Sequence, residues 1–61
     1  MKTSELLKKL KKEAGVKFVR HGGEHDVYYS PITGKEFAVP RHKREVPTGT
    51  FNSILKDAGL K

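Results

Sequence analysis

Histidine is the residue type whose unperturbed side chain changes charge near neutrality, and this sequence has three, two of them close together. His21 and His25 flank Gly22-Gly23-Glu24, and His42 follows later in the chain. The string from His21 to His25 fits H-x-x-E-H, a zinc-peptidase pattern that needs both histidines on one face of a helix. We reject a zinc site because Gly-Gly breaks a helix and the flanking segments have strand composition. We expect no metal and no cofactor.

His25 has the better context for chemistry. It follows two glycines at the start of a predicted strand, so its ring should be displayed at the rim of a sheet, where another backbone can approach closely. A histidine placed there among cations can act as a general base toward a ribose 2′-OH or as a general acid toward a leaving 5′-oxygen. A polar surface role is the alternative. Asp26 is not expected to orient His25, because adjacent strand residues face opposite ways.

The charge of the chain favours a polyanionic partner. Lys and Arg number 13 against 7 Asp and Glu, a formal net charge of +6 on 61 residues. The Lys-rich first helix, with Lys8, Lys9, Lys11 and Lys12, is typical of a solvated face. The loop after the third strand differs, since several cations within four residues repel one another unless phosphates lie nearby. We therefore predict RNA or DNA contact for Arg41, His42, Lys43 and Arg44.

Length and cysteine content set the limits of the fold. The 61 residues allow one domain, 1–61, and exclude multi-domain enzymes, barrels and dinucleotide-binding folds. The absence of Cys excludes disulfides and Cys-ligated zinc. No apolar run has the length of a transmembrane helix or a signal-peptide core, so we expect a cytoplasmic protein with no membrane association.

Hydrophobic periodicity predicts the order αβββα. Residues 4–14 form an amphipathic helix capped by Thr3 or Ser4 and ended by Gly15. Three short strands follow at 16–20, 25–30 and 35–39, joined by turns that contain glycine. A second helix, capped by Thr48 or Thr50, ends at Gly59. The prediction is an α+β fold in which two helices cover one face of a three-stranded antiparallel sheet and leave the other face open.

Two adjacent tyrosines in the second predicted strand should lie on opposite faces of the sheet, because the side chains of neighbouring strand residues point in opposite directions. Of Tyr28 and Tyr29, one should pack under the helices. The other should lie on the open face, where it can stack on a base.

The whole chain resembles the HicA family, the toxins of type II toxin–antitoxin pairs. Gly23-Glu24-His25, followed by Tyr28, is similar to the family's glycine–small residue–histidine element and strand tyrosine. Pro40-Arg41-His42 is similar to its proline–x–histidine after the third strand. The matching ends of the chain are Ser4-Glu5-Leu6-Leu7, Gly15, Gly49-Thr50-Phe51 and Ser53 to Leu60. Glu24 departs from the family, which commonly has Ser or Gly there.

The resemblance implies a double-stranded-RNA-binding-domain-like fold and an mRNA interferase activity that arrests translation and growth. The catalytic histidine would be His25, and a HicB-type antitoxin would cover this region in a hetero-oligomer. We expect metal-independent cleavage that leaves a 2′,3′-cyclic phosphate, with His42 as one candidate for the general acid. The predicted RNA-binding residues are Arg20, Gly23, Arg41, His42, Lys43 and Arg44.

Two other functions remain open from the residues alone. A non-catalytic module of the double-stranded-RNA-binding type has the same order of elements, although that class typically carries a Lys-rich start to its second helix. Here that helix has no cation before Lys56. A purely protein-binding domain, with the open sheet face as its interface, is the third possibility.

Overall fold

The fold has the predicted order of elements. The computed structural model describes residues 2–42 and 44–61, so the predicted role of Lys43 lies outside the described residues. Helix α1 and its π-helical continuation precede a three-stranded antiparallel sheet in the order β1-β2-β3, and helix α2 follows. The bounds are Thr3–Lys9 for α1, Leu10–Ala14 for the π-helical segment, Lys17–Gly22 for β1, His25–Ser30 for β2, Lys35–Pro40 for β3 and Thr48–Ala58 for α2. This is the α+β, double-stranded-RNA-binding-domain-like arrangement.

The first helix buries the predicted apolar stripe. Leu6, Leu10 and Ala14 are buried at four-residue intervals, and Gly15 ends the helix with a φ of 65°, in the left-handed region that glycine adopts without strain. The predicted cap is wrong. The helix already begins at Thr3, so Lys2 occupies the cap position, and its side chain makes no capping hydrogen bond.

The β1–β2 hairpin turns in two residues, Gly23 and Glu24. Gly23 has a φ of 55°, which explains a glycine at this position. The tight turn extends β1 to Gly22, two residues beyond its predicted end, and pairs Gly22 with His25. The pairing register also shifts between Phe18 and Arg20, which is the signature of a β-bulge at Val19.

The two faces of the sheet differ as predicted. Tyr28 is 5% exposed and packs in the core with Phe37 and Val39, whereas Tyr29 is 37% exposed on the opposite side, here called the open face. Helix α2 packs on β3 and β2, and every residue of β1 is exposed. Phe18 shares the helix side of the sheet with Tyr28 but remains 48% exposed.

Helix α2 is held at its C-terminal end by the sheet. Ser30 Oγ donates to the carbonyl of Ala58 at 2.7 Å, and Thr33 Oγ1 donates to that of Asp57 at 2.8 Å. These bonds satisfy carbonyls that the helix itself leaves without partners. Pro47 occupies the N-terminal cap position and no side-chain hydrogen bond caps this end, so the predicted capping by Thr48 or Thr50 is wrong.

Candidate active site at the hairpin rim

The end of the β1–β2 hairpin, here called the rim, consists of Gly22, Gly23, Glu24 and His25. His25 is exposed as the first residue of β2, on the open face with Val27 and Tyr29. A Cβ placed on Gly23 would meet nothing within 4 Å, so the space beside the turn is open. The rim therefore presents an exposed histidine next to backbone that a ligand can approach closely.

Residues 41–44 are here called the basic loop. The first of them, Arg41, is hydrogen-bonded to the rim. The backbone N–H of Arg41 donates to the carbonyl of Glu24 at 3.0 Å, directly after the rung that pairs His25 with Pro40. The guanidinium of Arg41 donates through Nη2 to the carbonyl of Gly23. Arg41 thus brings a positive charge to the turn that carries His25.

A cluster of charged side chains lies on the other side of the rim. His21 Nδ1 is 2.7 Å from Asp26 Oδ1, and Arg41 Nη1 is 3.4 Å from the same oxygen and 3.0 Å from His21 Nδ1. The Asp26 side chain is only 16% exposed, whereas that of His21 is 67% exposed. The ring of Phe18 lies against the imidazole, with a centroid separation of 4.8 Å.

One ring nitrogen cannot both donate to Asp26 and accept from Arg41. At 2.7 Å from a carboxylate oxygen, a proton must lie between the two atoms, so we assign it to His21 Nδ1. Asp26 then accepts from both His21 and Arg41. The Nε2 atom of His21 makes no hydrogen bond within residues 2–42 and 44–61 and is left for a ligand.

The remaining predicted RNA-binding residues that the structure describes make no hydrogen bond or ion pair with this cluster and lie elsewhere on the surface. Arg20 reaches Glu36 across the sheet, with Nη1 3.2 Å from Oε1 in an exposed ion pair. His42 and Arg44 are exposed in the loop after β3, and the carbonyl of Arg44 accepts from the N–H of Thr3 at 3.0 Å. These side chains therefore lie at the surface.

The H-x-x-E-H pattern does not have the geometry of a zinc peptidase. His21 and His25 lie on two paired strands rather than on one helix, and their side chains point to opposite faces of the sheet. In the part of the chain that the structure describes, no three side chains of His, Cys, Asp or Glu are grouped to hold a metal ion.

Sequence reasoning missed the pairing of His21 with Asp26. It considered His21 only within the zinc pattern, and it correctly separated Asp26 from His25 without finding another partner. A two-residue turn at Gly23-Glu24 pairs His21 with Asp26 in the next rung, and this was the signal available. The predicted first strand ended at residue 20, which concealed that register.

Tyr28 links this cluster to the core. Burial, and then the negative charge of Asp26, raise the pKa of the Tyr28 hydroxyl above its usual value. The ring of Tyr28 also contacts Phe18 edge-on at a centroid distance of 5.8 Å. The cluster therefore rests on the hydrophobic core at one end and reaches solvent at the other.

A comparison with known protein families finds a match for this chain. A search among curated proteins finds no match to the chain. The helices of the described residues are all too short or too polar to cross a membrane. A family model described as the HicA toxin of bacterial toxin–antitoxin matches residues 3–60, which is nearly the whole chain. The protein therefore belongs to the HicA toxin family of toxin–antitoxin systems.

Proposed function

We propose that this toxin is an mRNA interferase, a small ribonuclease that cleaves transcripts in the cytoplasm and so arrests translation and growth. The proposal rests on its membership of the HicA toxin family and on one observation at the rim. His25 is exposed beside an open glycine turn, and the Arg41 guanidinium is fixed to that turn. A base can activate the 2′-OH of an RNA strand, and a cation can stabilise the negative charge that develops on its phosphate.

In the proposed reaction His25 acts on the substrate's own nucleophile. His25 removes the proton of a ribose 2′-OH, which attacks the adjacent phosphate. Arg41 and the neighbouring loop residues Lys43 and Arg44 stabilise the negative charge that develops on the phosphate oxygens. Arg20, Gly23 and His42 complete the RNA contacts. The products are a 2′,3′-cyclic phosphate and a 5′-OH, and no metal takes part.

The proposed regulator is a HicB-type antitoxin that binds the toxin and covers the rim. The toxin's surplus of cations and its exposed rim support an antitoxin that competes with RNA for the same surface. The resulting hetero-oligomer would also stabilise this small domain, because a partner that binds only the folded state shifts the folding equilibrium.

The test is cleavage of a long single-stranded transcript by purified protein, with His25→Ala as the variant. We expect the wild type to cut the transcript in the presence of a chelator and the variant to lose cleavage by a factor of about 10² or more. His25 is exposed, so the variant should keep the wild-type melting temperature. Undiminished cleavage by the variant would remove His25 from the mechanism, and loss of wild-type cleavage in chelator would contradict metal independence.

The same experiment separates the ribonuclease from a non-catalytic RNA-binding module. Such a module would retard the transcript in a salt-sensitive manner without cutting it. The structure counts against that class, because α2 opens with Thr48 and Gly49 and has its only basic residue, Lys56, in the last turn.

A further inference from the structure

We propose that His21, oriented by Asp26, is a second acid–base residue of the ribonuclease and donates the proton that the leaving 5′-oxygen needs. This inference rests on the proposed function and assigns a role that His25 alone leaves empty. A cyclising cleavage needs one group to take the proton from the 2′-OH and another to supply a proton to the departing oxygen.

Asp26 fixes the orientation of the His21 ring. The Asp26 carboxylate holds His21 Nδ1 at 2.7 Å, and the ring of Phe18 supports the imidazole from the side. This fixes the ring and directs the opposite nitrogen, Nε2, to solvent, which is how a carboxylate prepares a histidine for proton transfer. The rings of His25 and His42 form no side-chain hydrogen bond to any of the described residues. His21 is thus the histidine that the protein has oriented.

His21 and His25 lie close together in the pairing of β1 with β2. His21 pairs with Asp26, and Gly22 pairs with His25 in the next rung, so the two histidines lie on neighbouring rungs at the end of the hairpin. Their side chains leave opposite faces of the sheet. Of the three residues between them, Gly22 and Gly23 have no side chains to block a phosphate at the rim, and Glu24 carries an exposed carboxylate. Attacking and leaving oxygens lie in line on either side of the phosphorus, so a base and an acid that approach from opposite sides match the reaction.

The guanidinium of Arg41 adjoins the His21 cluster, with Nη1 3.0 Å from His21 Nδ1. Arg41 contacts Asp26 and the carbonyl of Gly23 at the same time, so its guanidinium lies between the His21 cluster and the turn. In the proposed arrangement, Asp26 has two tasks: it orients the proton donor, and it holds in place the cation that stabilises the transition state. Asp26 is therefore a positioning residue.

Each proton taken up or released in the proposed reaction is carried by one of the two histidines. The reaction starts with His25 neutral and His21 protonated on both ring nitrogens, with Nδ1–H bound to Asp26. The 2′-oxygen forms a bond to phosphorus as its proton passes to His25, and the bond from phosphorus to the 5′-oxygen breaks as Nε2–H of His21 passes to that oxygen. The cyclic phosphate and the 5′-OH leave, and exchange with water restores both histidines.

The test uses two RNA oligonucleotides that share the sequence cut by the wild type. One is unmodified, and the other carries a bridging sulfur in place of the 5′-oxygen at the cleaved linkage, because a thiolate leaves without a proton donor. We expect His21→Ala to cut the unmodified RNA about 10²- to 10³-fold more slowly than the wild type and the sulfur substrate within a few fold of the wild type. Asp26→Asn should show a smaller loss with the same rescue. His25→Ala should lose both substrates.

The controls separate chemistry from folding. Asp57→Asn makes the same chemical change in α2, away from the rim, and should leave both rates unchanged. The His21 side chain is largely exposed, so His21→Ala should melt within a few degrees of the wild type. Equal losses on the two substrates, or wild-type cleavage of unmodified RNA by His21→Ala, would overturn the role of His21 while the ribonuclease function stood. A wild type that cuts neither RNA would overturn the proposed function itself.

Discussion

Arg41 connects the basic loop to the rim through both its backbone and its side chain. Its backbone N–H bonds to Glu24, and its guanidinium contacts Gly23, His21 and Asp26. The hydrogen bonds to Glu24, Gly23 and Asp26 hold Arg41 in position in the protein alone. Such preorganisation is the condition under which a cation stabilises developing charge most effectively.

The carboxylate of Glu24 counteracts the positive charge of Arg41, because it places a negative charge on the exposed turn between Gly23 and His25. We predict that Glu24→Gln raises kcat/KM for RNA cleavage about two- to fivefold at low salt, the range expected for one exposed charge interaction. The gain should shrink as salt screens the charge. Glu5→Gln makes the same charge change on α1 and serves as the control. An equal gain from both variants would assign the effect to net charge rather than to the position of Glu24.

The raised pKa of Tyr28 predicts how stability changes at high pH. The folded state holds this proton more tightly than the unfolded state, so the unfolded state binds fewer protons once the pH exceeds about 10, and the free energy of unfolding falls as the pH rises further. We predict that Tyr28→Phe reduces this fall, as measured by denaturant titrations between pH 8 and 11.5. Tyr29→Phe, on the exposed neighbour, should keep the wild-type slope. An unchanged slope in Tyr28→Phe would contradict the assignment.

At the scale of elements, the end of α2 depends on a glycine. Gly59 has a φ of 88°, and a Cβ there would lie 2.6 Å from Ile32 Cγ2 and 3.0 Å from Thr33 Cγ2. We predict that Gly59→Ala destabilises the protein by about 1–3 kcal/mol, because it adds backbone strain and a steric clash with the β2–β3 turn. Thermal unfolding should show a melting temperature lowered by at least several degrees.

Gly49 is the matched control for this prediction. It lies in the first turn of α2, where an added Cβ meets nothing within 4 Å. Gly49→Ala should be neutral or should stabilise the helix by up to about 1 kcal/mol, because alanine loses less backbone entropy on folding. Equal melting temperatures for the two alanine variants would contradict the predicted role of Gly59.

The elements were predictable from sequence where local patterns determine them. Apolar spacing located both helices, and alternation assigned Tyr28 and Tyr29 to opposite faces, because side-chain direction repeats with the backbone. The predicted cap of α1 was wrong because that helix begins with a tertiary contact, from the Thr3 N–H to the Arg44 carbonyl, that local sequence does not encode. The predicted cap of α2 was wrong because that helix begins at Thr48, so Pro47 holds the cap position.

The candidate site was harder to predict than the fold. The contact between His21 and Asp26 depends on the exact turn, and that between Arg41 and Asp26 joins residues on different strands. A shift of one residue in register moves every side chain to the other face. Sequence reasoning therefore proposed His25 from its glycine context but could not find the partners of His21.

At the scale of the molecule, the sheet separates two surfaces of different character. The helices cover one side of β2 and β3, while β1 is exposed along its whole length. The hairpin rim lies at the end of the sheet where both sides reach solvent. Side chains that leave opposite faces can approach the same bound group at such an end, whereas elsewhere a full sheet lies between the faces.

The net charge of +6 leads to a prediction about salt dependence, which also identifies the cations that contact RNA. Each phosphate neutralised on a single strand contributes about −0.7 to the slope of log binding constant against log salt. We predict that Arg44→Ala, made in the His25→Ala background to prevent cleavage, makes the slope less negative by about 0.7. Arg44 is an exposed residue of the loop that begins at the rim, so its side chain can contact the RNA backbone.

Lys12→Ala in the same background is the control, because Lys12 is exposed on the π-helical segment, away from the rim. Its slope should match that of the parent, as a solvated helix face neutralises no phosphate. Filter binding of a labelled single-stranded RNA over a range of salt concentrations gives all three slopes. Equal changes from both variants would mean that RNA responds to total charge, and the loop would then lose its assigned role as the RNA contact.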